Sequence, residues 1–170
     1  MKPKHILFYV LFAMFANVTT TANAQAVNVQ DSLALVDLYN STDGPHWVNN
    51  TNWLTGPVKI WYGITVKDDR IEQINLNYEN LNGTLPPSLG NLVKLESLIL
   101  YANHLQGSIP SELGNLALLT SLNLYGNQLS GSIPSELGNL INLSYLSLGV
   151  NQLSGNIPAS LGDLINLSYI

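Results

Sequence analysis

From residue 71 onward the apolar positions recur at a fixed spacing. In the stretch 95–118, Leu95, Leu98, Leu100, Leu105, Ile109, Leu113 and Leu116 are apolar, and the same slots are apolar 24 residues earlier and 24 residues later. Leu98 and Leu100 alternate with Ser97, Ile99 and Tyr101, and a period of two predicts a short strand with one face inward. Asn103 follows where that strand ends. A buried Asn can donate with its NH2 and accept with its carbonyl, so stacked copies would build a ladder of Asn103, Asn127 and Asn151. Gly107, Pro110 and Gly114 then bend the chain back. Four full units result, at 71–94, 95–118, 119–142 and 143–166, with a partial fifth at 167–170; the second and third agree at 17 of 24 positions. One such unit cannot bury its apolar side alone, whereas a stack can, which predicts a solenoid.

The unit LTSLNLYGNQLSGSIPSELGNLIN resembles the plant-type subclass of leucine-rich repeats, LxxLxLxxNxLSGxIPxxLGNL, over residues 71–170. Gly-x-Ile-Pro recurs at 107–110, 131–134 and 155–158, with Gly-Thr-Leu-Pro at 83–86. The resemblance implies a right-handed, curved α/β solenoid with a parallel β-sheet on its concave face. It also implies a short 3-10 or irregular convex side and a second short strand around Leu-Ser-Gly-x-Ile-Pro. Glu79 departs from the pattern by standing at the Asn slot of the first unit. An edge repeat tolerating drift and a functional carboxylate are both open readings.

Residues 25–70 do not repeat, and we expect them to form an N-terminal cap of a helix and a hairpin. Asp31 is the expected N-cap of a short helix through about Tyr39, with Leu35 and Leu38 facing inward. Asn40 to Pro45 is turn chemistry. Ile60 to Val66 and Ile71 onward read as a hairpin around Lys67-Asp68-Asp69-Arg70. Trp47, Trp53 and Trp61 fall within fifteen residues. They read as a lid over the open apolar end of the stack, with an aromatic ligand platform as the alternative. The segment is similar to the N-terminal cap of plant-type leucine-rich repeat proteins, but Lys59 and Val66 stand at the places of that cap's cysteines. Its disulfide is therefore excluded. In lacking those cysteines the cap resembles bacterial secreted members more than plant receptors, while the chain as a whole resembles receptor-like ectodomains and bacterial secreted leucine-rich repeat proteins.

The first 24 residues form a separate pattern. Lys2 and Lys4 precede the apolar run Ile6–Ala16, and Ala22-Asn23-Ala24 is a small-x-small cleavage pattern, so 1–24 reads as a secretory signal peptide. Eleven apolar residues fall short of the roughly 20 needed to span a bilayer. The expected location is extracellular, secreted or at the cell surface.

Composition removes several function classes. Beyond the leader, Lys59, Lys67, Arg70 and Lys94 stand against all 11 acidic residues, a net charge near −7. That leaves no basic patch for nucleic acid. The chain has no cysteine, hence no thiol chemistry and no disulfide staple. Its three histidines, His5, His46 and His104, are dispersed, and no metal or cofactor is expected. Asp68, Asp69 and Glu72 carry calcium-like oxygens, but a polar hairpin tip explains them. We find no catalytic constellation and expect no enzyme.

The outward strand face is the candidate site. By alternation it presents Asn75, Asn77, Tyr78, Ser97, Ile99, Tyr101, Asn123, Tyr125, Tyr145, Ser147 and Tyr169. Tyrosine, Ser and Asn are the residues of adaptable binding surfaces. Tyr101 and Tyr125 share a slot in adjacent units, as do Tyr145 and Tyr169. They could equally serve as cross-strand pairs that only stabilise the sheet. The leading expectation is a recognition module for a protein, peptide or glycan on this face. The alternatives are a structural or adhesive repeat protein without a specific ligand, and the truncated ectodomain of a receptor-like kinase. The chain stops mid-strand at Ile170 without a polar cap, which suggests a fragment or self-association there.

Overall fold

A computed structural model describes residues 27–170, and the leader expected at 1–24 lies outside them. The described residues begin with helix α1 (Val29–Ser41). The hairpin β1 (Ile64–Lys67) and β2 (Arg70–Asn75) follows. The coils then each contribute two short strands and one 3-10 turn. Strands β4 (Ser97–Ile99), β6 (Ser121–Asn123) and β8 (Tyr145–Ser147) extend β2 in parallel. Strands β3 (Asn82–Thr84), β5 (His104–Gly107), β7 (Gln128–Gly131) and β9 (Gln152–Leu153) make a second, four-stranded parallel sheet. The first sheet runs β1-β2-β4-β6-β8, so its first pairing, to the hairpin strand, is antiparallel.

The 3-10 turns follow from Pro-x-x-Leu. Proline fixes φ and opens the turn, and Leu89, Leu113, Leu137 and Leu161 N–H donate back to Pro86, Pro110, Pro134 and Pro158 O at 3.1–3.2 Å. Coils meet closely here: a Cβ at Gly114 would lie 2.4 Å from Glu136 O. Between the two sheets and the turns, the repeated Leu and Ile side chains form one continuous core. Each fully buried Leu contributes about 1.5–3 kcal/mol.

The asparagine slots join coil to coil. Asn103 Oδ1 accepts from Glu79 and Leu81 N–H (both 3.0 Å), and its Nδ2 donates to Leu76 O and Leu100 O (2.8 and 3.0 Å). Asn127 and Asn151 accept from Leu105 and Leu129 N–H (3.0 and 2.9 Å) and donate in the same pattern. A second ladder, of hydroxyls, runs along the strand entrances. Thr120 Oγ1, Ser144 Oγ and Ser168 Oγ donate to the carbonyls of Glu96, Thr120 and Ser144 at 2.9–3.0 Å.

The cap differs from expectation in three respects. Asn28, not Asp31, caps α1, its side chain accepting from Gln30 N–H at 2.9 Å. Asp31 is instead fully buried and accepts from Arg70 Nε, Arg70 Nη2 and Ile71 N–H, each at 2.9 Å. It clamps the helix to the first strand of the stack. The hairpin strand begins at Ile64 rather than Ile60, because Val58–Ile60 forms a 3-10 turn after Pro57. Asp68 and Asp69 make the two-residue turn with φ of 47° and 59°, and Glu72 pairs with Lys67 Nζ at 2.9 Å.

Candidate functional site

The cap aromatics are packing, not platform. Trp47, Trp53 and Trp61 are 3–5% exposed. Their ring centroids lie 4.8 Å apart in sequence, with Tyr39 against Trp47 and Trp53. Their indole N–H groups donate to Thr42 O, Tyr62 O and Gly56 O. Buried, fully bonded indoles have no face left for a ligand.

Glu79 has a structural explanation as well. It is buried, and its carboxylate accepts from Asn49 N–H at 2.8 Å. The unit before the first coil is the cap, which offers a donor here. An acceptor-only side chain therefore replaces the two-way amide. The same carboxylate raises the Tyr62 phenol above its ordinary pKa, chiefly through a hydrogen bond.

The exposed face of the first sheet carries the remaining candidates. Asn75, Tyr78, Tyr125 and Tyr169 are exposed there, and Asn77, Ser97, Ile99, Tyr101, Asn123 and Tyr145 are half-buried. Ser147 is only 6% exposed. Its short side chain lies in register beside Asn123 and two residues from Tyr145 on the same face, so it is not available as a contact. Tyr145 and Tyr169 stack at 4.5 Å with planes 4° apart. Tyr78 meets Tyr101 edge-to-face at 4.9 Å, and Asn77 Nδ2 donates to Tyr101 Oη at 3.3 Å. Tyr125 lies against Gly149, its Cδ2 3.4 Å from where a Cβ would be. Tyr101 and Tyr125, adjacent in slot, thus turn away from each other. Alternation in the sequence assigned them one slot but could not say which way each ring leans.

The residue that ends each strand turn is left-handed in every coil. Tyr78, Ala102, Gly126 and Val150 have φ of 59°, 54°, 67° and 52°. Only glycine takes this conformation without strain. The slot holds the preceding residue, Asn77, Tyr101, Tyr125 or Gly149, at the rim of the face. From Gln73 to Tyr78, Ser97 to Ala102, Ser121 to Gly126 and Tyr145 to Val150, no residue is charged.

A separate open groove of about 930 Å³ runs past Ser108, Ile109, Pro110, Ser132, Ile133 and Pro134, on the side of the second sheet. None of the expected ligand residues lines it. No helix among the described residues is long and apolar enough to cross a membrane.

The pattern described as Leucine Rich Repeat matches residues 94–116, 118–140 and 142–164. The crystal structure of the BIR3–SERK2 complex from Arabidopsis thaliana superposes with a TM-score of 0.72 at 36% identity, over 82% of this chain and 79% of that one. The chain belongs to the leucine-rich repeat family. A plant ice-binding protein aligns with a TM-score of 0.76 at 30% identity, over 84% of this chain and 47% of that one. The plant peptide hormone receptor RGFR1, solved in complex with RGF2, aligns with a TM-score of 0.59 at 35% identity, over 64% of this chain and 20% of that one. The leucine-rich repeat chain described here therefore spans less than half of the ice-binding chain and a fifth of the receptor chain.

Proposed function

We propose that this leucine-rich repeat chain is an extracellular recognition module that binds a peptide or protein segment on the concave, outward face of its first sheet. One observation carries the reading: that face is uncharged, and its tyrosines are held by Asn77, by Gly149 and by one another rather than buried. Rigid aromatic area beside Ser and Asn gives contact surface at low entropic cost. Among similar structures, a peptide hormone receptor solved in complex with RGF2 and the BIR3–SERK2 complex support binding of this kind. A glycan is the competing ligand class. Self-association through the last coil, where Ile157 and Ile165 are 70% and 89% exposed, is the competing use of the surface.

The test selects ligands on the wild-type chain from a displayed library of short random peptides and from a glycan array, then re-measures them on two variants. Ser121→Arg places a cation in the middle of the face. Ser132→Arg places one in the groove of the second sheet. Loss of more than tenfold in affinity with Ser121→Arg alone is the expected result. Loss with Ser132→Arg alone moves the site to the groove and overturns the reading.

A second reading rests on the other sheet. Thr84, Gln106 and Gln128 lie in register across β3, β5 and β7, uncharged and exposed at strand spacing. Such an array can order water, and the similar ice-binding structure supports testing it. Faceting of ice crystals by the purified chain would favour this reading, and round, freely growing crystals would remove it.

A further inference from the structure

We infer that the divergence of Tyr101 and Tyr125 opens a slot between them that takes one planar side chain, proline or aromatic, of an uncharged extended peptide. The inference rests on the recognition reading above and specifies its ligand. Adjacent strands lie about 4.8 Å apart. A planar group touching a ring on each side needs about 7 Å, two carbon–carbon contacts of ~3.5 Å. Upright tyrosines in neighbouring slots would leave no such room. Here Tyr101 is drawn toward β2 by the Asn77 hydrogen bond and the Tyr78 ring. Tyr125 lies toward β8, over the space that glycine leaves at position 149. Among the described residues the two rings make no pair with each other. Ala102 and Gly126 give the slot a low floor, with a Cβ at Gly126 reaching only within 3.6 Å of Ala102 N.

The polar groups beside the slot select the class of ligand. Tyr101 Oη accepts from Asn77, which leaves its O–H to donate. Asn123 Oδ1 accepts from Tyr125 N–H at 3.1 Å, which leaves its NH2 to donate. Both are donors, placed for the backbone carbonyls that flank an inserted side chain in an extended peptide. No carboxylate or guanidinium lies on these strand segments to grip a charged ligand or to strengthen bonds to sugar hydroxyls. A charged peptide would give up hydration here with no partner in return.

The experiment takes the peptides selected on the wild-type chain, synthesises them with capped ends, and measures affinity by titration at low and high salt. The expected consensus is one Pro, Phe, Tyr or Trp between uncharged residues, with affinity insensitive to salt. Replacing that planar residue by Ala should weaken binding roughly three- to tenfold per ring wall lost. Tyr125→Ala, and Gly149→Leu, whose longer side chain fills the space the Tyr125 ring leans over, should each weaken the planar peptide and leave the Ala-substituted peptide unchanged. Asn77→Ala tests a positioning residue by the same difference. All three sites are exposed or half-buried, and matching thermal melts exclude misfolding. Peptides that Ser121→Arg abolishes but Tyr125→Ala and Gly149→Leu leave unchanged overturn the slot while the recognition reading stands. A charged consensus, or glycans selected without peptides, also overturns the slot. No selected ligand of either kind overturns both.

Discussion

Replacing Asn127 by Asp tests whether the ladder works by two-way hydrogen bonding. The substitution keeps the shape and the acceptor that takes Leu105 N–H at 3.0 Å. It turns the donor that serves Leu100 O and Leu124 O, both at 3.0 Å, into an anionic oxygen. Two hydrogen bonds worth about 1 kcal/mol each are lost. Two carbonyls then face a carboxylate that is 8% exposed, which adds about 1 kcal/mol more. The expected deficit is about 3 kcal/mol at pH 7. Protonation restores one donor and removes the charge, so the deficit should fall to about 1 kcal/mol in acid. That difference of ~2 kcal/mol corresponds to a folded-state pKa about 1.5 units above the ordinary 3.9. A raised folded pKa means the folded variant holds its proton longer than the unfolded chain. The variant therefore loses stability as pH rises from about 4 to about 5.5 and stays at its full deficit above that. Urea unfolding followed by circular dichroism at pH 4 and pH 7, against wild type, measures this. Tryptophan fluorescence from the cap shows in the same samples whether cap and coils unfold together. A deficit below about 0.5 kcal/mol at pH 7, or one equal at both pH values, refutes the reasoning.

Two further predictions bear on packing and on the cap. Gly114→Ala should cost about 2–3 kcal/mol, since its Cβ would meet the backbone of the next coil at 2.4 Å, whereas Gly162→Ala, with nothing within 4 Å, should stabilise by about 0.5 kcal/mol; equal effects in urea unfolding would refute close stacking at the 3-10 turns. Tyr39, raised mainly by burial, and Tyr62, raised mainly by its hydrogen bond to Glu79, should ionise above the ordinary pH 10 in an ultraviolet titration, and Glu79→Gln should return Tyr62 toward it. Because both folded values are raised, their contribution to stability is present below pH 10 and lost as pH climbs through them; a single tyrosine titration at the ordinary value would contradict this.

The coils were legible because their information is local and repeated. Leu98, Leu122 and Leu146 say the same thing three times, and a short-range period of two is enough to place them inward. The hydroxyl ladder was equally written, as Thr120, Ser144 and Ser168 in one slot, but Thr and Ser at a strand entrance read as ordinary surface. The clamp was not legible. Asp31 and Arg70 are 39 residues apart and belong to no repeat, so nothing in the pattern marks them as partners, and Asp31 at a helix start imitates a cap. Ser147 shows a second limit. Alternation assigned it to the outer face correctly, yet exposure on a face depends on the length of the neighbours as well as on direction.

Glu79 shows how far the sequence of this leucine-rich repeat chain encodes its own boundaries. In the stack, an asparagine must accept from an N–H of the coil before it and donate to a carbonyl of that coil and to one of its own, and only an amide does both. At the first coil the preceding element is the cap, and the Asn49 N–H takes the place of that pattern. A carboxylate that would be costly at Asn127 is therefore suited to position 79. The departure that looked like drift in an edge repeat follows from which groups the neighbour presents. The same logic applies on the outer face. Where a slot answers to the preceding coil, as at 103, 127 and 151, the residue is constant. Where it answers to solvent, as at 77, 101, 125 and 149, it is Asn, Tyr, Tyr and Gly in turn. The lean of the two tyrosines depends on the unlike residues at the two ends of that row, so the row's variation, not its repetition, shapes the slot.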